Sequence, residues 1–104
     1  MVTISDPVME SLRRFLMVVQ RRQRLEAAYL YGSQVKGTAT AWSDIDVALV
    51  SPDFSADRFV ERLNLMRLAA QVDDRIEPHP FTPQDFNPTN PVVNEIQRTG
   101  IRVL

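Results

Sequence analysis

The sequence predicts an α/β (α+β) fold, in which a small mixed β-sheet is packed by helices. Apolar residues at helical spacing alternate along the chain with short apolar runs, which is the pattern of domains that mix helices and strands. One of these runs begins with two aspartates, Asp44 and Asp46, so the mouth of that strand is the candidate site. A length of 104 residues is typical of one domain, and we expect a single domain over residues 1–104.

Composition restricts the classes of function. The chain is 44% hydrophobic and 24% charged with a net charge of −1, and near-neutral charge argues against broad electrostatic binding to nucleic acid. It contains no cysteine, which excludes disulfides, thiolate metal sites and cysteine nucleophiles. No stretch approaches the roughly 20 apolar residues of a membrane span, and the acidic start from Met1 to Glu10 is not a signal peptide. We therefore expect a cytoplasmic protein.

The first helix is predicted to start at Asp6 and Pro7, because aspartate caps free amides and proline tolerates the first helical position. Its buried stripe is predicted to comprise Val8, Leu12, Phe15, Leu16 and Val19. Arginines occupy the rest and the end of this helix: Arg13, Arg14, Arg21, Arg22 and Arg24. They indicate either a solvated face or a contact surface for RNA or an acidic partner.

The first strand is predicted over residues 25–31, and its apolar character favours a central position. Gly32 and Ser33 end this strand. Residues 34–36 then predict one helical turn whose amides face a phosphate, stopped by Gly37. The turn is not a Walker A loop, because the required Gly-Lys-Ser/Thr ending is absent.

The second strand is predicted over Ser43 to Val50, after a loop of residues 38–42. Aspartate is depleted in strands, so Asp44 and Asp46 indicate a function that outweighs this preference. Side chains alternate along a strand, so residues i and i+2 face the same way with Cα atoms about 6–7 Å apart. Both carboxylates can therefore reach one point, and carboxylate oxygens are ligands that Mg2+ prefers.

Ser55 is predicted to cap a second long helix. The buried face of this helix is predicted to hold the apolar side chains of Phe59, Leu63, Met66 and Ala70, with Met66 filling the core. The solvent face is predicted to hold the charged side chains of Arg58, Glu61, Arg62 and Arg67.

A third strand is predicted over residues 75–81, at a sheet edge because Pro78 and Pro80 lack amide donors. Glu77 and His79 share one face of this strand. His79 either packs at the strand end or binds phosphate or water. A short helix from Asn90-Pro91 to Arg98, closed by Gly100, and an apolar end over residues 101–104 complete the chain.

The arrangement of Gly32-Ser33, ten residues and then Asp44-x-Asp46, preceded by the apolar run of residues 27–31, resembles the signature of the nucleotidyltransferase superfamily of DNA polymerase β, kanamycin nucleotidyltransferase and the minimal nucleotidyltransferases. The resemblance implies a polymerase β-like fold in which the Gly-Ser turn holds the phosphates of ATP and the two aspartates hold one or two Mg2+ ions. A third carboxylate on a later strand completes the site in that family.

This role carries over to Glu77, as a metal ligand or as the catalytic base; minimal nucleotidyltransferases often use aspartate there. The alternative for Glu77 is a solvated charge on an edge strand. Lys36 and Arg75 are candidates for steadying phosphate charge. Trp42 is either a base-stacking residue or a core or rim aromatic.

The chain also resembles the minimal nucleotidyltransferase half of two-component prokaryotic modules, whose partner is a helical HEPN protein that is often a ribonuclease toxin. This resemblance implies an antitoxin that transfers AMP from ATP to a tyrosine of the partner. Polymerases and antibiotic-modifying relatives present the acceptor on extra domains, so we expect the acceptor on another chain. We also expect a stable complex with that helical protein, or a homo-oligomer, that buries residues 101–104.

Two other classes of function remain open. One is a binding module that neutralises a partner by contact alone. The other is a nucleotidyltransferase that acts on RNA or on a small molecule, which a nucleic-acid surface on the arginine-rich first helix would favour.

Overall fold

The computed structural model describes residues 3–104. The prediction that Met1 to Glu10 is not a signal peptide includes residues 1 and 2, which lie outside this range. The elements, in chain order, are α1 (Asp6–Gln20), β1 (Ala27–Tyr31), α2 (Ser33–Lys36), β2 (Ile45–Val50), α3 (Arg58–Ala70), β3 (Ile76–Phe81), α4 (Pro91–Thr99) and β4 (Ile101–Arg102). Within this described range, no helix is long and apolar enough to cross a membrane.

The four strands form one mixed sheet in the order β3-β2-β1-β4. β1 is antiparallel to both β2 and β4, and β2 is parallel to β3. This mixed sheet confirms the predicted fold class, and β3 lies at an edge as its two prolines indicated. The sequence did not predict β4, because a strand of two residues is too short to show alternation.

One face of the sheet, which we call the closed face, carries Ile45, Val47 and Leu49 of β2. These side chains are fully buried against α1 and α3 in the larger core cluster. The predicted stripe of α1 is the helical half of this cluster, and all five of its members are buried: Val8, Leu12, Phe15, Leu16 and Val19. This prediction is confirmed.

The opposite face, which we call the open face, carries Asp46, Ala48 and Val50 of β2. A second, smaller core cluster covers its far part, where Val93 and Ile96 of α4 pack on Ala48 and Val50. Asp46 lies outside this cluster and is half-buried. The open face therefore leaves room for a site at the end where β2 begins.

The caps of the two long helices differ from the predictions. The N-cap of α1 is Ser5, not Asp6: Ser5 is extended, and its hydroxyl accepts a hydrogen bond from the amide of Val8 at 3.4 Å. Asp6 instead lies in the first turn, where a negative charge interacts favourably with the helix dipole. The N-cap of α3 is Asp57, not Ser55, because the Asp57 carboxylate accepts from the amide of Val60 at 3.2 Å.

The predicted buried face of α3 is wrong. Phe59 is 72% exposed, Leu63 and Met66 are each 40% exposed, and Ala70 is exposed as well. The helix instead buries Glu61, Leu65, Leu68 and Ala69. Two apolar stripes at helical spacing run along this helix, and packing against β3 and α1 selects the second of them.

Glu61 was predicted to face solvent, and this prediction is also wrong. Its carboxylate is buried and accepts hydrogen bonds from the amide of Ser55 at 2.8 Å and from Nε2 of Gln23 at 3.4 Å. The carboxylate thus accepts one hydrogen bond from the loop before α3 and one from the turn after α1. A buried charge is tolerated where hydrogen bonds compensate its lost hydration.

Candidate active site

The candidate site lies on the open face, at the end of the sheet where β1 ends and β2 and β3 begin. Tyr31 is the register partner of Asp46, and Asp46 is the register partner of Glu77. Partners directly opposite each other on neighbouring strands point to the same face. The structure therefore places Asp46 and Glu77 side by side on adjacent strands, and their joint role in one site stays a prediction.

Gly32 lies directly against the carboxylate of Asp46. Its φ is +75°, a conformation that favours glycine, and a Cβ at this position would lie 2.5 Å from Oδ2 of Asp46. A side chain at residue 32 would thus displace either the turn or the carboxylate. The absence of a side chain lets the Gly-Ser turn and the first aspartate of β2 touch.

The helical turn after Gly32 is α2, and Gly37 ends it in the left-handed conformation at φ 77°, which confirms the predicted turn. The first amides of a helix have no partner within the helix. Ser33 is the first residue of α2, so its amide and hydroxyl are at the end of the turn that Gly32 opens.

Asp44 is exposed and lies one residue before β2. Its carbonyl accepts a hydrogen bond at 3.2 Å from Nε2 of Gln34, a buried residue of α2. This bond ties the Gly-Ser turn to the aspartate segment, which are ten residues apart in sequence. Gln34 was not predicted as a site residue, because no sequence signal distinguishes it from any other polar residue of a short helix.

Glu77 is engaged by a residue that the sequence analysis assigned to solvent. Nη2 of Arg62, on α3, donates to Oε2 of Glu77 at 3.2 Å. Arg62 therefore brings a positive charge to the acids of the open face. Only the packing of α3 against β3 makes this contact, so spacing in the sequence could not have predicted it.

His79 and Tyr31 complete the polar surface of the open face. Nε2 of His79 lies 3.5 Å from Oδ1 of Asp46, and the imidazole packs at a tilt on the ring of Tyr31 with centroids 5.7 Å apart. Burial lowers the pKa of His79, as does the nearby positive charge of Arg62. Burial and the charge of Asp46 raise the pKa of Tyr31. Both shifts favour the neutral rings at pH 7. His79 packs on Tyr31, and a role in binding phosphate or water stays a prediction.

Arg75 connects the loop before Asp44 to the start of β3. Its guanidinium donates to both carboxylate oxygens of Asp73, at 3.1 and 2.9 Å, and to the carbonyl of Ala41 at 3.3 Å. Ser11 of α1 also donates to Asp73, at 2.8 Å. These bonds, chiefly the one from Arg75, hold the pKa of Asp73 well below its usual range. The phosphate role of Arg75 stays a prediction.

Two further residues from the sequence analysis lie at the margin of the site. Nζ of Lys36 forms a 3.2 Å ion pair with Glu95 of α4, and its phosphate role also stays a prediction. Trp42 is 90% exposed in the loop before β2, which excludes a core position.

The donor set of the open face consists of carboxylates, which suit a hard cation such as Mg2+. Within residues 3–104, no group of three or more His, Cys, Asp and Glu side chains is arranged to hold a metal ion by itself. Mg2+ commonly takes only one or two carboxylates and completes its coordination with water and substrate phosphates. The residues present therefore fit a metal that arrives with a nucleotide rather than one held in a protein cage.

Comparison with known proteins gives a family and two similar structures. The family model described as "Polymerase beta, Nucleotidyltransferase" matches residues 15–104. A crystal structure of a toxin-antitoxin with AMP-PNP is 21% identical, with a TM-score of 0.65, covering 92% of this chain and 72% of that one. A putative nucleotidyltransferase from Sulfolobus solfataricus is 16% identical, with a TM-score of 0.54, covering 94% and 86%. At these identities the two structures establish the fold alone. No curated protein matches the sequence.

Proposed function

Because the chain belongs to the polymerase β-type nucleotidyltransferase family, we propose that it is a Mg2+-dependent enzyme that transfers AMP from ATP to a hydroxyl group of a separate helical protein. The observation that carries this proposal is the contact between Gly32 and Asp46 beside Glu77. A Gly-Ser turn, a carboxylate beside it and a second carboxylate on the adjacent strand are the parts that this transfer uses.

Asp44 and Asp46, with Glu77, would hold one or two Mg2+ ions, which when bound lower the negative charge on the α-phosphate. Gly32 and Ser33 would bind the β- and γ-phosphates, and Lys36 would add positive charge. These residues hold the nucleotide so that the α-phosphate faces the open face. Arg62, which donates to Glu77 at 3.2 Å, would hold this carboxylate in one position on β3.

The reaction is a displacement at the α-phosphorus. The acceptor oxygen forms a bond to phosphorus, the bond to the bridging oxygen of the β-phosphate breaks, and pyrophosphate leaves with that electron pair. The proton of the acceptor hydroxyl passes to Glu77 when Glu77 acts as the base, which requires hydrogen-bond reach of that oxygen. Removal of a general base typically slows a reaction about 10²–10⁴-fold.

The acceptor is a tyrosine of a HEPN-type toxin, which this modification inactivates, and the protein is then an antitoxin. Support for this partner comes from the similarity to a toxin-antitoxin structure that holds AMP-PNP, an analogue of ATP. Resemblance to the minimal nucleotidyltransferases of two-component modules supports the tyrosine and the helical toxin. An acceptor on a separate chain needs a surface of this protein to which it can bind.

The test follows label from ATP into the partner. The protein is incubated with the protein encoded by the adjacent reading frame, Mg2+ and ATP labelled on either the α- or the γ-phosphate. AMP transfer moves only the α-label into the partner, and it stops when Asp44→Asn and Asp46→Asn are combined. Transfer of the γ-label, or equal transfer by the double variant, would refute the proposal.

A contact-only binding module is the second candidate, because Arg62 already occupies Oε2 of Glu77. In that case the complex forms with full affinity while no label enters the partner. Adding RNA or small hydroxyl compounds to the same assay tests the remaining acceptors. Label that enters RNA but not protein would assign the enzyme to another substrate.

A further inference from the structure

A line of exposed apolar side chains lies on the outside of α3, and we call it the α3 stripe. It consists of Phe59, Leu63, Met66 and Ala70, which recur at the spacing i, i+4, i+7 and i+11 and so share one side of the helix. Phe59 is the most exposed of them, with 72% of its surface accessible. Contiguous exposed apolar side chains on one helix face are typical of interaction sites.

The α3 stripe borders the candidate active site. Arg62 lies about 40° from Met66 around the helix, at about 100° per residue, and its guanidinium reaches Glu77. One turn earlier, Arg58 reaches Asp85 at 3.2 Å and lies over the ring of Phe81, 5.6 Å from its centroid. The arginines thus lead from the stripe to the open face, across the edge strand β3.

The exposed charges along α3 all have one sign. They are Arg58, Arg62 and Arg67, whereas the only acid of the helix, Glu61, is buried and hydrogen-bonded. No carboxylate of the described residues forms an ion pair with Arg67, in contrast to Arg58 and Arg62. A complementary surface would therefore carry apolar side chains in its centre and carboxylates at its margins.

We propose that the α3 stripe is the docking surface for the acceptor protein, and that it binds an amphipathic helix of that protein. The helix would present apolar anchors at i, i+3 or i+4 and i+7, which is how helices dock on apolar surfaces, with Asp and Glu residues opposite the arginines. This inference rests on the proposed function. Docking here brings the acceptor hydroxyl across β3 to Asp46 and Glu77.

The same observations disfavour a second copy of this chain as the occupant. A two-fold dimer pairs each surface patch with itself. The only acid of α3, Glu61, is buried, so the α3 of a second copy would offer no carboxylate to Arg67. A partner that carries exposed carboxylates beside its apolar anchors provides one.

The test substitutes exposed residues, so folding is preserved. Phe59→Ser combined with Met66→Ser removes two anchors, and Val92→Ser is the matched control, because Val92 is 51% exposed on α4. Binding of the protein encoded by the adjacent reading frame is measured by calorimetry, Mg2+-ATP binding is measured separately, and light scattering reports the oligomeric state. We expect the double variant to lose about tenfold or more in affinity for the partner, with ATP binding and melting temperature unchanged and the control unaffected.

Three outcomes overturn this proposal. The double variant binds the partner with wild-type affinity, the wild-type protein does not bind the partner, or the wild-type protein is a dimer and the double variant is a monomer. Loss of partner binding without AMP transfer by the wild type would leave the docking surface standing and refute the proposed function. If the wild type transfers AMP but the double variant binds the partner with unchanged affinity, the proposed function stands and the docking surface is refuted. Arg67→Glu provides a second test, since it should weaken partner binding more at low salt than at high salt.

Discussion

The two faces of β2 differ in what their side chains do, although they alternate residue by residue. Ile45, Val47 and Leu49 on the closed face are fully buried. Asp46 on the open face keeps 29% of its side chain accessible and contacts Gly32 and His79. One strand thus provides both the middle of the core and the candidate site. Substitutions one residue apart should therefore have separable effects on stability and on activity.

The largest expected effect is on the closed face. Leu49→Ala removes a fully buried side chain beneath α1 and α3, and such truncations typically cost about 2–5 kcal/mol in the free energy of unfolding. Asp46→Asn is the open-face control, which we expect to leave this free energy unchanged or higher. Urea unfolding of both variants measures the difference, and a similar loss in both would remove the distinction between the faces.

The contact between Gly32 and Asp46 predicts the next effect. Gly32→Ala places a Cβ 2.5 Å from the Asp46 carboxylate, and a displacement of about 1 Å in a catalytic group can cost about 100-fold in rate. We expect a loss of this size in AMP transfer. Gly37→Ala, at the second glycine with positive φ, shows what a strained glycine turn costs away from the carboxylate, although Gly32, at φ 75° and ψ −146°, is in the more restricted region. Equal losses in both variants would show that strain, rather than the carboxylate contact, causes the effect.

Asp73 connects the closed-face helix α1 to the loop of the candidate site. Its contribution to the free energy of unfolding should depend on pH. Its pKa is lowered in the folded protein, so the stability it contributes is full above its unfolded pKa of about 3.9 and is lost as pH falls below that value. Asp73→Asn should cost about 1–3 kcal/mol at pH 7, and the difference from wild type should shrink below about pH 4.

Asp74→Asn is the matched control, because Asp74 is exposed and adjacent. It should change the unfolding free energy little at any pH, as surface substitutions usually do. Urea unfolding at neutral and acidic pH measures both variants. A cost for Asp73→Asn that stays constant into acid would contradict the assigned hydrogen bonds.

The smallest effect concerns Gln34, whose amide holds the carbonyl of Asp44. Gln34→Leu keeps the side chain's approximate size but removes this hydrogen bond, which is typically worth about 1 kcal/mol. We expect Mg2+-ATP to bind about fivefold more weakly, because the segment that carries Asp44 is no longer fixed. Calorimetry measures this, and unchanged affinity would show that Asp44 needs no support from α2.

The helices show how far the sequence could predict the fold. α1 has one apolar stripe, so its buried face followed directly from spacing. α3 has two stripes, one with Phe59, Leu63 and Met66 and one with Leu65 and Leu68. Periodicity cannot choose between them, because the choice depends on the surfaces of β3 and α1 that the helix meets.

The candidate site shows the same division. Gly32, Asp44 and Asp46 belong to one local pattern, so a shared site could be predicted from the chain itself, and the structure brings Gly32 and Asp46 into contact. Arg62 reaches Glu77 over 15 residues of sequence, and Gln34 reaches Asp44 over ten. Both contacts depend on how elements pack, and neither residue type signals the contact in advance.

The central claim is that the site formed by the carboxylates of the open face catalyses transfer of AMP to a separate protein. Intact-mass spectrometry of that protein tests this claim most directly. The protein encoded by the adjacent reading frame is incubated with ATP and Mg2+ and with wild type, Glu77→Gln or Asp46→Asn. We predict that the partner gains the mass of AMP with wild type, gains it far more slowly with Glu77→Gln at unchanged partner affinity, and does not gain it with Asp46→Asn. An unmodified partner in a complex that forms and binds ATP would contradict the claim.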